Sequence, residues 1–178
     1  MADVDAALLA ALLRESLRKG QHPRLTITSS SMIPLLRRGD EIVLESITLG
    51  QLQPGDILTL TTESYLQTHR YWGQQHQAGT PYLLTRGDQP LIFDKPWARE
   101  SLIGRVVARQ RQGKMLSLCE GRGKWLNNQL ARLATAECQR FALSPQQVAP
   151  TFTPYQRRQH QLLWFGAKLL TNLVDIIT

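Results

Sequence analysis

Residues 54–71 read PGDILTLTTESYLQTHRY, and this stretch decides the fold class. It opens with Pro-Gly-Asp, a turn sequence, and continues with two runs rich in Ile, Leu, Thr and Tyr. Both runs have the length and composition of β-strands, and too few residues lie between them for a helical crossover. We therefore predict two antiparallel strands, Ile57–Thr61 and Tyr65–Tyr71.

The same pattern extends outward from this stretch, from Leu25 to about Leu118. Short runs of strand-forming residues alternate with Gly-Asp, Pro-Gly and Gly-Lys turns. Such close spacing predicts an antiparallel β core and a chain that is mainly β. The further predicted strands lie near Leu25–Thr28, Glu41–Glu45, Tyr82–Thr85, Leu102–Arg109 and Met115–Leu118.

An amphipathic helix is predicted ahead of this core, in residues 3–19, where leucines recur three and four positions apart. Asp3 and Asp5 suit the positive N-terminus of a helix, and Gly20 is typical of the residue that ends one. The N-terminal helix therefore forms its own segment, residues 1–22, before the core at 23–118.

Residues 119–178 form a basic and mostly helical C-terminal extension. Helical patterns are found around Trp125–Phe141 and from Gln156 to the end, and Pro145–Pro154 has the composition of a linker. The predicted architecture is an antiparallel β core flanked by one N-terminal helix and by C-terminal helices.

The composition is that of a globular protein, because 42% of the 178 residues are hydrophobic and 20% are charged. The formal charge is +7, and the segment from Arg105 to Lys168 holds eleven Lys and Arg against Glu120 and Glu137. Such a segment suits an anionic partner, although a solvated basic face needs none. No specific nucleic-acid partner is expected, because residues 1–24 supply one helix where a helix-turn-helix reader needs two.

The N-terminus does not have the pattern of a signal peptide, because Asp3 and Asp5 precede the apolar run Ala6–Leu13. Neither this run nor Leu162–Ile177 reaches the roughly 20 apolar residues of a membrane span. We therefore predict a cytoplasmic chain without a transmembrane helix. Two alternatives stay open for residues 156–178: peripheral contact with a membrane surface, or packing against the N-terminal helix or a second subunit.

Cys119 and Cys138 are nineteen residues apart, without a Cys-x-x-Cys spacing or a nearby His. This pattern predicts no metal site. Two free thiols in a reducing compartment are the expected state, and a single disulfide is the alternative.

The serine-rich stretch at residues 29–40 reads SSSMIPLLRRGD. Taken alone, consecutive serines before a proline are typical of a turn whose hydroxyls bond the local backbone. Four further signatures follow it along the chain, and the ordered set is more specific than any one of them. They are Pro-Gly-Asp-Ile at 54–57, Thr-His-Arg at 68–70, Thr-Arg-Gly-Asp at 85–88 and Ile-Gly-Arg-Val at 103–106.

This ordered set, over about Leu25–Val107, resembles the type I signal peptidases and their LexA-like relatives. The resemblance implies a coiled antiparallel β core of that kind and a serine endopeptidase that requires no cofactor. It places the nucleophile at Ser31, directly before Met32. A serine hydroxyl needs a neighbouring base for acyl transfer.

The resemblance places the base at His69. One branch of the family uses Lys, and the archaeal and endoplasmic-reticulum branch uses His on the matching strand. The neighbouring Arg70 is excluded, because a guanidinium stays protonated. An imidazole titrates near pH 6.5, about where a group must titrate to accept and return a proton under physiological conditions.

The resemblance also implies an acid and an oxyanion donor. In the His-using branch the acid lies six residues after the Gly-Asp aspartate, which gives Asp94, with Asp88 as a supporting acid or as the alternative. Ser29 matches the serine that donates to the oxyanion, although a hydroxyl that caps local backbone is an equal alternative. The other histidines belong to no motif and are predicted to lie on the surface: His22, His76 and His160.

The implied substrate is an extended segment of a peptide or protein, with small residues before the scissile bond, added to the β core as an extra strand. Two alternatives remain. One is a LexA-like regulator that cleaves itself, and the other is a non-catalytic peptide-binding module on the same fold.

Overall fold

The computed structural model describes residues 6–62, 64–145 and 152–177. Three helices and seven strands are found in these ranges. The helices are α1 (Ala6–Arg18), α2 (Gly121–Arg140) and α3 (Pro154–Ile177). The predicted caps Asp3 and Asp5, and most of the predicted linker Pro145–Pro154, lie outside the described residues.

The strands form one antiparallel sheet in the order β1-β2-β6-β3-β4-β5, and β7 pairs with β6. This confirms a mainly antiparallel β structure with an N-terminal helix and two C-terminal helices. Every predicted strand overlaps an observed one. They are β1 (Arg24–Thr26), β2 (Glu41–Glu45), β3 (Ile57–Thr61), β4 (Leu66–Gln77), β5 (Thr80–Arg86), β6 (Leu102–Arg111) and β7 (Lys114–Ser117).

Strand β4 continues six residues beyond its predicted end at Tyr71. Its second half is polar, and it is held in the sheet by pairing with β5 as far as Gln77 opposite Thr80. Ala78 and Gly79 close this hairpin with φ angles of 48° and 81°, as a two-residue hairpin turn requires. Cross-strand pairing, and not hydrophobic pattern, therefore sets the length of β4.

Two hydrophobic clusters lie on the sheet. The larger cluster combines strand residues with the buried faces of all three helices: Leu13 of α1, Leu126 of α2 and Val174 of α3 belong to it. The smaller cluster contains Leu58, Leu60, Tyr71, Leu83 and Trp97, close to the site described below.

The basic segment from Arg105 to Lys168 is partly internal, because two of its guanidinium groups form ion pairs inside the protein. Arg109 is 2% exposed and pairs with Asp175 of α3, which also bonds Arg111 at 2.5 Å. Arg111 in addition bonds Asp40 at 2.7 Å. These pairs and the apolar contacts attach α3 to the sheet, and α3 packs against α2.

The described helices contain no stretch that combines enough length with enough hydrophobicity to cross a membrane.

Candidate active site

A buried imidazole and a carboxylate form the centre of the site. His69 lies on β4 and is 6% exposed, and its Nδ1 lies 2.7 Å from Oδ2 of Asp94. Asp94 follows β5, and its backbone N–H donates to the carbonyl of Thr85 at 2.9 Å. This bond holds the loop that contains Asp94 against β5, the neighbour of β4. The Asp94 carboxylate is thereby brought to the His69 ring.

The carboxylate of Asp94 accepts two further hydrogen bonds. Thr85 Oγ1 donates to Oδ2 at 2.5 Å, and Gln67 Nε2 donates to Oδ1 at 2.9 Å. Thr85 is in turn held by Trp97, whose Nε1 donates to Oγ1 at 3.0 Å. Thr85 is fully buried and Trp97 is 8% exposed, so this acid has a fixed orientation.

The tautomer of His69 follows from these contacts. Gln67 Nε2 also lies 2.6 Å from Nδ1, so Nδ1 has both an amide nitrogen and a carboxylate oxygen in reach. A bond to a charged carboxylate is the stronger of the two, and it requires the proton on Nδ1. Gln67 Nε2 is itself a donor, so with this tautomer it bonds to Asp94 Oδ1 and not to the ring. Nε2 of His69 is then the proton acceptor, as a general base needs.

The predicted nucleophile lies in the loop between β1 and β2. Ser31 Oγ is 3.3 Å from Ser29 Oγ, so the structure brings these two hydroxyls together. The Ser31 carbonyl accepts a bond from the Gln89 N–H at 2.9 Å, next to Gly87. A Cβ on Gly87 would lie 2.8 Å from this carbonyl oxygen, so the close approach requires glycine.

The serine pair and the His–Asp pair are not hydrogen-bonded to each other. Among the side-chain bonds of the described residues, Ser31 Oγ has Ser29 as its partner, and none joins it to His69. The backbone bond from Gln89 to Ser31 is what connects the nucleophile loop to the segment that follows β5.

Asp88 has a different partner from Asp94. Its two oxygens accept bonds of 2.7 Å from Nε and Nη2 of Arg70, a residue that is 1% exposed. Nη1 of Arg70 donates to the carbonyl of Gly55 at 2.8 Å and to Asn127 of α2 at 2.7 Å. Asp88 therefore neutralises a buried cation, and Arg70 joins β4, two turns and α2.

A groove of about 380 Å³ lies beside Ser29. One side is formed by residues of β1 and the chain up to Ser29, and the other by Tyr65, Leu66 and Thr68. Leu66–His69 pair with β3, whereas β5 pairs only from Arg70 onward. The other backbone edge of Leu66–His69 is therefore unpaired within the sheet. The apolar lining includes Leu9, Leu25, Ile27, Met32 and Ile42.

The remaining histidines were all predicted to lie on the surface. His22 and His76 are exposed. His160 is only partly exposed: its side chain is 25% exposed, and its Nδ1 lies 2.8 Å from the buried carboxylate of Glu137. Glu137 also accepts a bond of 2.9 Å from Arg86, so packing of α3 on α2 and the sheet buries this polar cluster.

Both cysteines are free thiols. Burial raises the pKa of the Cys119 thiol, and burial likewise raises the pKa of the Cys138 thiol.

Gln67 and Trp97 belong to the site but were not predicted. Gln67 lies two residues before His69, and alternate residues of a strand face the same side, so its position carried a usable signal. Trp97 reaches the site through its bridge to Leu83 of β5, a contact for which the sequence contains no pattern.

The sequence fits no protein family profile and is not significantly similar to any curated protein. The function must therefore be argued from the geometry of the site.

Proposed function

We propose that this protein is a serine endopeptidase of the LexA and signal-peptidase kind, with Ser31 as nucleophile, His69 as base and Asp94 as acid. The observation that carries the proposal is the buried pair of His69 and Asp94, joined at 2.7 Å. Such a pair fixes the tautomer of the base and stabilises the imidazolium that forms during catalysis. The resemblance of the ordered motifs supports the same three residues.

In the acylation step, His69 Nε2 removes the Ser31 proton while Oγ attacks the carbonyl carbon of the scissile bond. The imidazolium then gives this proton to the leaving amine as the C–N bond breaks, which leaves an acyl group on Ser31. Water, deprotonated by His69, attacks this ester, and the proton returns to Ser31 as the acid product leaves.

Ser29 is the proposed side-chain donor to the oxyanion. Its Oγ is 3.3 Å from Ser31 Oγ, next to the position where the tetrahedral carbon would be bonded. A preorganised donor at that position stabilises the negative charge that develops on the former carbonyl oxygen.

Proton transfer requires that Ser31 Oγ approach His69 Nε2 to within about 2.6–3.2 Å. A substrate in the groove lies between the serine loop and the start of β4. We propose that its binding, together with rotation of the Ser31 side chain away from Ser29, completes this contact, because catalytic hydrogen bonds often tighten when the substrate binds.

The proposed substrate is an extended peptide. The unpaired backbone edge of Leu66–His69 offers donors and acceptors for an added strand, and the apolar lining of the groove suits uncharged side chains. Cleavage of a segment of this chain itself is a special case of the same reaction.

A peptide-binding module without catalysis is the second candidate. The observation that favours it is that Ser31 and His69 are not hydrogen-bonded. The groove and its free strand edge would serve such a module equally well.

Incubation with a library of extended peptides distinguishes the two candidates. We expect the wild type and the matched control Ser30→Ala to cleave, and Ser31→Ala to bind the same peptides without cleaving them. Equal cleavage by Ser31→Ala would exclude Ser31 as nucleophile. Peptide binding by all three proteins without cleavage would instead identify a binding module.

A further inference from the structure

Helix α3 has an apolar stripe along its exposed face. The stripe residues recur three or four positions apart, which places them on one side of a helix. The opposite side of α3 carries Ala167, Thr171 and Val174, which are buried against the protein. The stripe consists of Leu162 (71% exposed), Phe165 (64%), Leu169 (52%), Leu173 (49%) and Ile176 (77%).

The charges of α3 are unequally distributed. Arg157 and Arg158 are exposed at its beginning, and Arg158 is four residues before Leu162, at the head of the stripe. Asp175, the one acid in the helix, is neutralised by Arg109 and Arg111. The exposed face of α3 therefore combines an apolar stripe with cations and lacks a free acid.

The stripe adjoins a cleft of about 340 Å³ between α2 and α3. Leu133, Leu162, Leu163 and Gly166 line it, and Arg140 also belongs to its lining. An apolar cleft beside a guanidinium matches the chemistry of an acyl chain and an anionic head group.

We propose that α3 binds the surface of an anionic lipid bilayer and lies parallel to it, with the stripe at the boundary between head groups and acyl chains. An amphipathic helix with a basic end binds in this way through apolar burial and attraction to anionic lipid. A second copy of the chain is a poorer partner, because its α3 would add the same cations and no free acid to pair with them.

Vesicle co-sedimentation of the full chain tests the proposal. We expect binding to vesicles of phosphatidylcholine mixed with an equal amount of phosphatidylglycerol, and little binding to phosphatidylcholine alone. Replacement of both Phe165 and Leu169 by Glu is expected to lower the partition coefficient at least about tenfold. Replacement of Arg157 and Arg158 by Ala is expected to lower it about fivefold per residue on the anionic vesicles.

The matched control replaces two exposed leucines of α1 by Glu, Leu8 at 56% and Leu12 at 55% exposure. This control is expected to bind vesicles like the wild type, and an equal loss of binding would overturn the assignment to α3. Failure of the wild type to bind anionic vesicles would also overturn it. So would a dimer, measured by light scattering, that the Phe165 and Leu169 variant dissociates, because the stripe would then be an interface between two copies.

Discussion

Asp94 and Asp88 are six residues apart, and the structure gives them different partners. Asp94 faces an imidazole, and Asp88 faces a guanidinium that is buried beneath the site. In the proposed reaction Asp94 would act on the base, whereas Asp88, which neutralises a buried cation, acts on stability. Substitution of Asp94 is therefore expected to affect the rate of cleavage, and substitution of Asp88 is expected to affect stability.

We expect Asp94→Asn to lower kcat by about 10⁴, because the amide no longer holds the proton on Nδ1 of His69. Its thermal unfolding should stay close to that of the wild type. Asp88→Asn is the matched control, with the opposite pattern: a loss of about 3–5 kcal/mol of stability, since Arg70 is left buried and unneutralised. Peptide cleavage rates and denaturant unfolding measure the two effects, and equal kinetic losses would contradict the assignment.

Thr85 is expected to be a positioning residue, since its hydroxyl links Trp97 to Asp94. Thr85→Val keeps the shape of the side chain and removes both bonds. The bond to Asp94 is the one that orients the acid, so kcat should fall about tenfold, the effect of one lost hydrogen bond. KM should change little. Thr85→Ser should restore kcat, and a Ser variant as slow as the Val variant would show that packing, not the hydroxyl, matters.

The family resemblance implied an acid beside His69 and left Asp94 and Asp88 as alternatives. The structure places Asp94 against His69, while the catalytic roles of both residues stay predictions. The sequence did not predict Trp97, because this side chain is brought in by a loop that folds back on β5. The ion pair of His160 could not be predicted for a similar reason: Glu137 is distant in sequence and is brought to His160 by packing between helices.

Gly123 of helix α2 and Gly166 of helix α3 have different surroundings. Gly123 lies at the start of α2, where an added Cβ would overlap the carbonyl oxygen of Ser117 at the end of β7. Gly166 lies within α3, where an added Cβ would meet no atom within 4 Å. The first glycine permits close packing, and the second has no steric role.

Gly123→Ala is therefore expected to destabilise the protein by about 1–3 kcal/mol through overpacking. Gly166→Ala should stabilise it by about 0.5–1 kcal/mol, because glycine within a helix loses more conformational entropy on folding than alanine. Urea unfolding of both variants beside the wild type measures the two changes. Stabilisation by Gly123→Ala would show that α2 does not lie so close to β7.

The positions of all seven strands could be predicted, because hydrophobic pattern and turn residues agree in the core. The second half of β4 could not, since Gly73–Gln77 is polar and is held by its pairing with β5. The hydrophobic pattern therefore predicted the strand segments that face the core. It did not predict the end of β4, which forms a strand because it pairs with β5.

Across the whole molecule, the helices that follow the sheet belong to the same hydrophobic cluster as the sheet itself. Asp175 strengthens the attachment of α3 to the sheet, because it pairs with Arg109 of β6. Burial lowers the pKa of the Arg109 guanidinium. The sequence could not predict these pairs, since Arg109 and Arg111 belong to the basic segment from Arg105 to Lys168 and Asp175 lies beyond that segment.

We expect Asp175→Asn to lower the free energy of unfolding by about 3–5 kcal/mol, because Arg109 remains buried without its counter-charge. Glu41→Gln is the control, as it breaks an ion pair with Arg24 in which both side chains are about half exposed. That change should cost no more than about 1 kcal/mol. Circular dichroism during urea unfolding measures both, and similar losses would contradict a structural role for the buried pair.

The guanidinium of Arg70 has a consequence for the evolution of this chain. Its three nitrogens donate hydrogen bonds to the Gly55 carbonyl, Asp88 and Asn127 at the same time. Lysine has a single nitrogen and cannot replace this planar set of donors. Loss of Arg70 would leave the Asp88 carboxylate without its counter-ion, and loss of Asp88 would leave a buried cation. Descendants of this sequence should therefore keep Arg70 and Asp88 or lose both together, even where the residues that line the groove have changed.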